Sequence, residues 1–282
     1  MKIICLGTGS PEPNIRRASS GYLIEIEGKK ILIDCGGGVF GRLLEYGLYP
    51  YDLTHIIFSH LHSDHMIDYP RLIHAIWDSN KPLPKIFGPN PLKIIHERIF
   101  GTSGMLSFDL TARTELSASK EVWVSRGGII PRPWPNPEIK EIDGNWVYHE
   151  GELRVTSCSV PHAEPFLNCL GFRLDYKNKS FVFSGDSGIC DELKLLSKDT
   201  NLLVHWCYRM SHENKFPMIT EKSPSAKQIA KMAEEVGVKK LLLTHMRTHM
   251  DSKNNHFQMI QEMKENFSGE SGIAEDLMKI EL

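Results

Sequence analysis

Positions 60 to 65 read His-Leu-His-Ser-Asp-His and directly follow the apolar run His55-Ile56-Ile57-Phe58-Ser59. This is the feature that most restricts what the chain can fold into. Three imidazoles and a carboxylate crowded at a strand end need partners for their polar atoms, and a cation supplies them at once. Imidazole nitrogen and carboxylate oxygen suit zinc and are tolerated by iron, manganese or nickel. His60 and His62 alternate along an extended segment, so both point to one side. Asp64 and His65 come a turn later and face a second ion. The plain alternative is a His-rich surface turn that binds no metal.

Three further residues stand just past predicted strands: His162 after 153–160, Asp186 after 180–184 and His245 after 240–244. One histidine after a strand is more often structural, but recurrence at three strand ends points to convergence at one sheet edge, where a rigid sheet positions loop residues. Asp186 has two oxygens with which to bridge two cations. Its plain alternative is capping a helix that starts near Ile189.

The pattern between these points is α/β. Strands are predicted at 2–6, 21–26, 30–34, 55–59, 84–88, 153–160, 170–176, 180–184, 201–205 and 240–244. Gly28 joins the second and third of these. A short helix carries Val39, Leu43, Leu44 and Tyr46, and another begins near residue 65. A third has Ser223 as N-cap and Pro224 at its first position, buries Ala226, Ile229, Ala230, Ala233 and Val236, and stops at Gly237. A C-terminal helix begins near Ser252. Segment 101–145 has weak periodicity and the proline cluster Pro131–Pro137, which continues neither a helix nor an inner strand. With 282 residues, 41% of them hydrophobic, the chain has side chains for a sizeable core. It reads as one domain over 1–282, with 101–145 as an insertion or rim.

Lys and Arg number 33 against 35 Asp and Glu, a formal charge of −2, so no overall cationic field gathers nucleic acid or an anionic membrane. The opening apolar run is too short for a signal-peptide core, and no stretch reaches the roughly 20 apolar residues of a spanning helix. Six cysteines are scattered without a Cys-x-x-Cys pair. They read as reduced thiols of a cytoplasmic protein.

Beside the His-x-His-x-Asp-His cluster, the chain carries the opening LGTGSPEPN, the IDCGGG turn at 33–38, Pro161-His162, Ser184-Gly185-Asp186 and LLLTH at 241–245. In that order and from residue 2 to about 250, it resembles the metallo-β-lactamase superfamily, within it the branch of ribonuclease Z and the arylsulfatase-like hydrolases. The resemblance implies a four-layer αβ/βα sandwich. It also implies two divalent ions, zinc or alternatively manganese or iron, with His60, His62 and His162 on one, Asp64, His65 and His245 on the other, and Asp186 between. Such ions deprotonate a shared water at neutral pH and offset charge on the attacked centre. Asp64 then doubles as proton shuttle. His205 is a candidate general acid or oxyanion partner, or else a buried histidine bonded to backbone at a strand end.

Ribonuclease Z typically has His-Glu-Ala-Thr where this chain reads His205-Trp206-Cys207-Tyr208, so the histidine is kept and the glutamate is not. Nor does 101–145 show the Lys/Arg clustering that phosphate tracking favours. The expectation is therefore hydrolysis of an ester, sulfate or phosphodiester bond in a small molecule, with 3′ processing of tRNA second. A non-hydrolytic redox or sensor protein is third, disfavoured because His62 and His65 stand where iron-binding relatives replace a histidine by a carboxylate. Trp77, Trp134, Trp206 and Tyr208 either wall an aromatic pocket or pack as core. Arg209 either meets an anionic substrate or lies in solvent. Homodimers are common among relatives, but no interface is legible.

Overall fold

The computed structural model describes residues 1–213 and 222–282. Its first sheet has the order β14-β1-β2-β3-β4-β5-β6, from β1 (Lys2–Gly7), β2 (Gly21–Ile26), β3 (Lys29–Ile33), β4 (His55–Ile57), β5 (Lys85–Gly88), β6 (Ile139–Glu141) and β14 (Lys279–Glu281). The second runs β13-β12-β11-β10-β9-β8-β7, from β7 (Val147–Glu150), β8 (Leu153–Ser159), β9 (Leu170–Tyr176), β10 (Lys179–Phe183), β11 (Leu202–Trp206), β12 (Lys240–Thr244) and β13 (Glu270–Ile273). Each begins with antiparallel hairpins and continues in parallel, from β3 to β6 and from β10 to β13.

The central strands are buried along nearly their whole length, which requires cover on both faces. Between the sheets pack Ile3, Ile24 and Ile31 from one side and Phe172, Phe181 and Val204 from the other. Behind the first sheet, Ile4, Leu23 and Ile56 meet α1 (Val39–Tyr46) and α3 (Tyr69–Asp78) through Leu43 and Leu72. Behind the second, Leu203 and Leu241 meet α8 (Ala226–Glu235) and α9 (Lys253–Asn266) through Ile229 and Met259. This is the four-layer αβ/βα sandwich. Among the described residues no helix is long and apolar enough to cross a membrane.

Two sequence expectations are corrected. Segment 101–145 is more regular than its weak periodicity suggests: after α4 (Leu92–Phe100) come α5 (Ser107–Glu115) and α6 (Ser117–Ser125), and β6 joins the sheet edge. Charge and ring contacts fasten this segment rather than a broad apolar stripe. Asp78 on α3 receives Arg113, Arg126 and Arg132 at 3.3, 3.4 and 3.2 Å. The Arg132 guanidinium lies 3.5 Å from the ring centre of Trp77 and 4.2 Å from that of Trp123. The N-cap of α8 is Ser225, not Ser223, with Gln228 completing a reciprocal capping box.

The turn after β3 approaches the metal-binding motif closely. Cys35 donates its backbone N–H to the His65 carbonyl at 2.8 Å, and a methyl group on Gly36 would stand 2.0 Å from the Asp64 carbonyl oxygen. Gly36→Ala is therefore expected to destabilise the protein by about 1–3 kcal/mol. Gly41→Ala, in open space on α1, should stabilise it by about 0.5–1 kcal/mol. Chemical denaturation of both variants checks this, and equal effects would contradict the close-approach argument.

Candidate metal centre

All seven residues singled out as ligands meet where the two sheets present their carboxyl ends. His60 follows β4, and α2 (Ser63–Met66) turns Asp64 and His65 inward. The loops after β8, β10 and β12 deliver His162, Asp186 and His245. Gly185 makes the second of these approaches feasible: its φ of 60° is left-handed, and a Cβ there would meet the Leu170 carbonyl oxygen at 2.5 Å.

The donors converge as three groups, each with its atoms within 4.8 Å of one another: His60, His62 and His162; Asp64, His65 and His245; and, linking these, His60, His65 and Asp186. His60 Nε2 and His162 Nε2 lie 3.0 and 3.3 Å from His62 Nδ1. Asp64 Oδ2 lies 3.1 Å from His245 Nε2 and 3.5 Å from His65 Nε2. Asp186 spans the first two, with Oδ1 3.4 Å from His65 Nε2 and Oδ2 3.2 Å from His245 Nε2 and 3.8 Å from His162 Nε2. Ring nitrogens facing one another at such distances direct lone pairs at a common point, which is what a cation requires. His65 Nε2 makes the same case, since it is buried without a hydrogen-bond partner. The donor set thus fits divalent metal ions.

The electrostatics agree. Burial disfavours charge on His65, yet Asp186 and Asp34 overcome it and hold the imidazole well above its usual range. Burial would raise Asp186, but His245 and His65 outweigh it and keep the carboxylate ionised. Asp64 shifts down likewise, burial being outweighed by its bond to His245. Burial pushes His60 and His162 down, which favours the neutral ligand form. A buried pair of carboxylates here calls for positive charge.

Asp34 was not singled out from sequence. Fully buried at the end of β3, it accepts from the Ser59 N–H and hydroxyl, both at 2.8 Å, and its Oδ2 is 2.7 Å from His65 Nδ1. A carboxylate behind a ligand imidazole fixes its tautomer and aim. The readable signal was an acid ending the apolar run Lys-Ile-Leu-Ile-Asp, where only the glycines that follow had been given a role.

His205 lies near the end of β11, with its Nε2 buried and without a hydrogen-bond partner. It is fully buried, its Nδ1 donates to the Trp206 carbonyl at 2.7 Å, and burial lowers it to about 4. The expected aromatic group divides. Trp206 and Tyr208 stand beside the donors, with Trp206 edge-on to His162 at 5.2 Å and Tyr208 stacked on it at 5.2 Å. Trp77 and Trp134 line a separate cavity of about 560 Å³ with Trp123 and three prolines of the rim. Arg209 does not lie in solvent: it is buried and donates to the Ser223 carbonyl at 2.6 Å and Gln228 Oε1 at 2.7 Å.

The profile of the Beta-lactamase superfamily domain matches residues 29–246. Ribonuclease Z of Mycolicibacterium gilvum (strain PYR-GCK) is 29% identical over 255 residues, covering 87% of this chain and 84% of that protein. Among solved structures, the metallo-beta-lactamase fold protein YhfI from Bacillus subtilis superposes with a TM-score of 0.74 at 21% identity, covering 99% of both chains. Human tRNase Z, short form, superposes with 0.68 at 20% identity, over 100% of this chain and 99% of that one. At such identities the two structures speak for the fold alone. The profile spans most of the chain and the curated relative still more, so the protein belongs to the metallo-β-lactamase superfamily, on its ribonuclease Z branch, and is a metal-dependent hydrolase.

Proposed function

We propose that the protein is a phosphodiesterase holding two zinc ions and that it processes the 3′ end of precursor tRNA. The observation that carries the reading is Asp186 standing between both donor groups, which supports a paired rather than a single ion. His60, His62 and His162 hold one ion, Asp64, His65 and His245 the other, and Asp186 bridges; manganese or iron suits the same donors. When bound, such a pair lowers the pKa of water towards neutrality and offsets negative charge on a phosphoryl oxygen. Asp64, slightly exposed at 9%, takes up the proton lost by the attacking water. The phosphorus gains the water's oxygen as its bond to the leaving oxygen breaks, and Asp64 passes the proton it took up to that leaving oxygen. His205, buried and bonded to the Trp206 carbonyl, supports the end of β11 rather than touching the substrate.

The substrate ranking from sequence is thereby reversed, because ribonuclease Z relatives match over most of the chain. One observation favours a small phosphodiester as the second reading: the buried indole of Trp206 occupies the position of the family's glutamate. We further propose that residues 1–282 form one catalytic unit, with 101–145 as its rim. The cytoplasm suits six free thiols, five of them buried.

Purified protein is expected to cleave precursor tRNA at its 3′ side and to hydrolyse bis-p-nitrophenyl phosphate. Hydrolysis of the latter alone would give the small-molecule reading precedence. Asp186→Ala should reduce bound zinc measured by elemental analysis, and an unaltered metal content would rule out bridging. Asp34→Asn keeps the size but removes the carboxylate behind His65. A zinc affinity about 10–100-fold weaker is expected in chelator competition, whereas wild-type affinity would show that Asp34 only supports the fold.

A further inference from the structure

Ligand imidazoles need something behind them to fix their aim. His65 has the Asp34 carboxylate and His60 has the Ser59 hydroxyl, 3.1 Å from its Nδ1. His162 and His245 lack this support: His245 Nδ1 is buried without a partner, and among the described residues no hydrogen bond reaches His162 Nδ1. Both also sit on irregular backbone, His162 in the loop after β8 and His245 at a left-handed φ of 65°.

Apart from Asp186 on their donor side, one side chain among the described residues abuts both rings. Trp206, 3% exposed, meets the His162 ring at 5.2 Å and 76° and the His245 ring at 6.1 Å and 74°. It is itself held from the other direction: Tyr208 stacks on it at 22°, the Arg247 guanidinium lies 4.9 Å from the centre of Tyr208, and Arg247 donates to Glu12 at 2.8 Å. The stack thus runs from the metal donors to the loop before β2.

We propose that Trp206 is a positioning residue that aims His162 and His245, one ligand from each triad, by edge-on ring packing in place of hydrogen bonds. The inference rests on these two histidines being ligands, as assigned above. An indole does this where a carboxylate would add a negative charge to a site already holding Asp64 and Asp186. Because it touches both triads, its loss should weaken both ions together, unlike the loss of any one ligand outside the bridge.

The test is zinc binding followed by chelator competition, with the visible spectrum of the cobalt-substituted protein as a second readout. Wild type is expected to hold two zinc per chain. Trp206→Leu keeps an apolar filler without a ring edge; both ions should be released about tenfold or more readily, with altered cobalt bands. Trp206→Phe should stay within about threefold of wild type, since it restores an edge. If Trp206→Leu does not fold by circular dichroism, Tyr208→Leu withdraws the support from outside and should weaken both ions in the same direction. A folded Trp206→Leu, or failing that Tyr208→Leu, that keeps wild-type affinity and spectrum overturns the inference alone, as does weakening of only one ion. A wild-type protein that binds no zinc overturns the ligand assignment and the inference with it.

Discussion

The Asp34 carboxylate is the contact on which the arrangement of the site depends. It sits fully buried at the end of β3, at a φ of 57° that side chains seldom adopt. From there it binds the backbone and hydroxyl of Ser59, where β4 gives way to the ligand motif, and the ring of His65. One residue therefore joins two strand ends to the first helix of the motif. A buried carboxylate is costly without full pairing, and this one is paired on both oxygens. Its geometry is consequently determined, and the direction of His65 with it.

Around that pin, the two sheets explain why residues 185 positions apart in sequence meet. In each sheet the parallel strands send their carboxyl ends the same way, and apolar packing between the sheets sets those ends opposite each other. The loops that follow need only a few residues to reach the cleft. Gly36 and Gly185 supply the close approaches such short loops demand. Ligand placement is in this sense a property of the core: displacement of either sheet would part His60 from His162 before it exposed a single core side chain.

What could be read from sequence follows from how local each signal is. The strands of both sheet centres and the ligand cluster were legible, because apolar runs and adjacent histidines are patterns within a few residues. The edge strands β7, β13 and β14 were not, since each is only three or four residues long and half exposed, so alternation has no length in which to show. Helices α5 and α6 escaped for another reason: they bury few residues and are fastened by Asp78, Arg113 and Arg132, contacts between separate segments that periodicity does not report. Ser223 and Ser225 both offer a cap in sequence, and the choice fell to Ser225 because Gln228 lies three residues on while the Ser223 carbonyl is taken by Arg209. Asp34 was hidden by its neighbours, the glycines explaining the turn so well that the acid before them seemed to need no role.

The surroundings of the donors divide by chemistry. On the side of β3 and β4 the imidazoles are backed by hydrogen bonds from Asp34 and Ser59; on the side of β11 they are backed by the rings of Trp206 and Tyr208. A carboxylate behind an imidazole raises its basicity, whereas an indole edge orients a ring with little change in its charge. His65 is thus held with its basicity raised, and the rings on the β11 side are held by shape. The half-buried Tyr208 and Arg247 carry that second wall outward to Glu12 in the loop before β2.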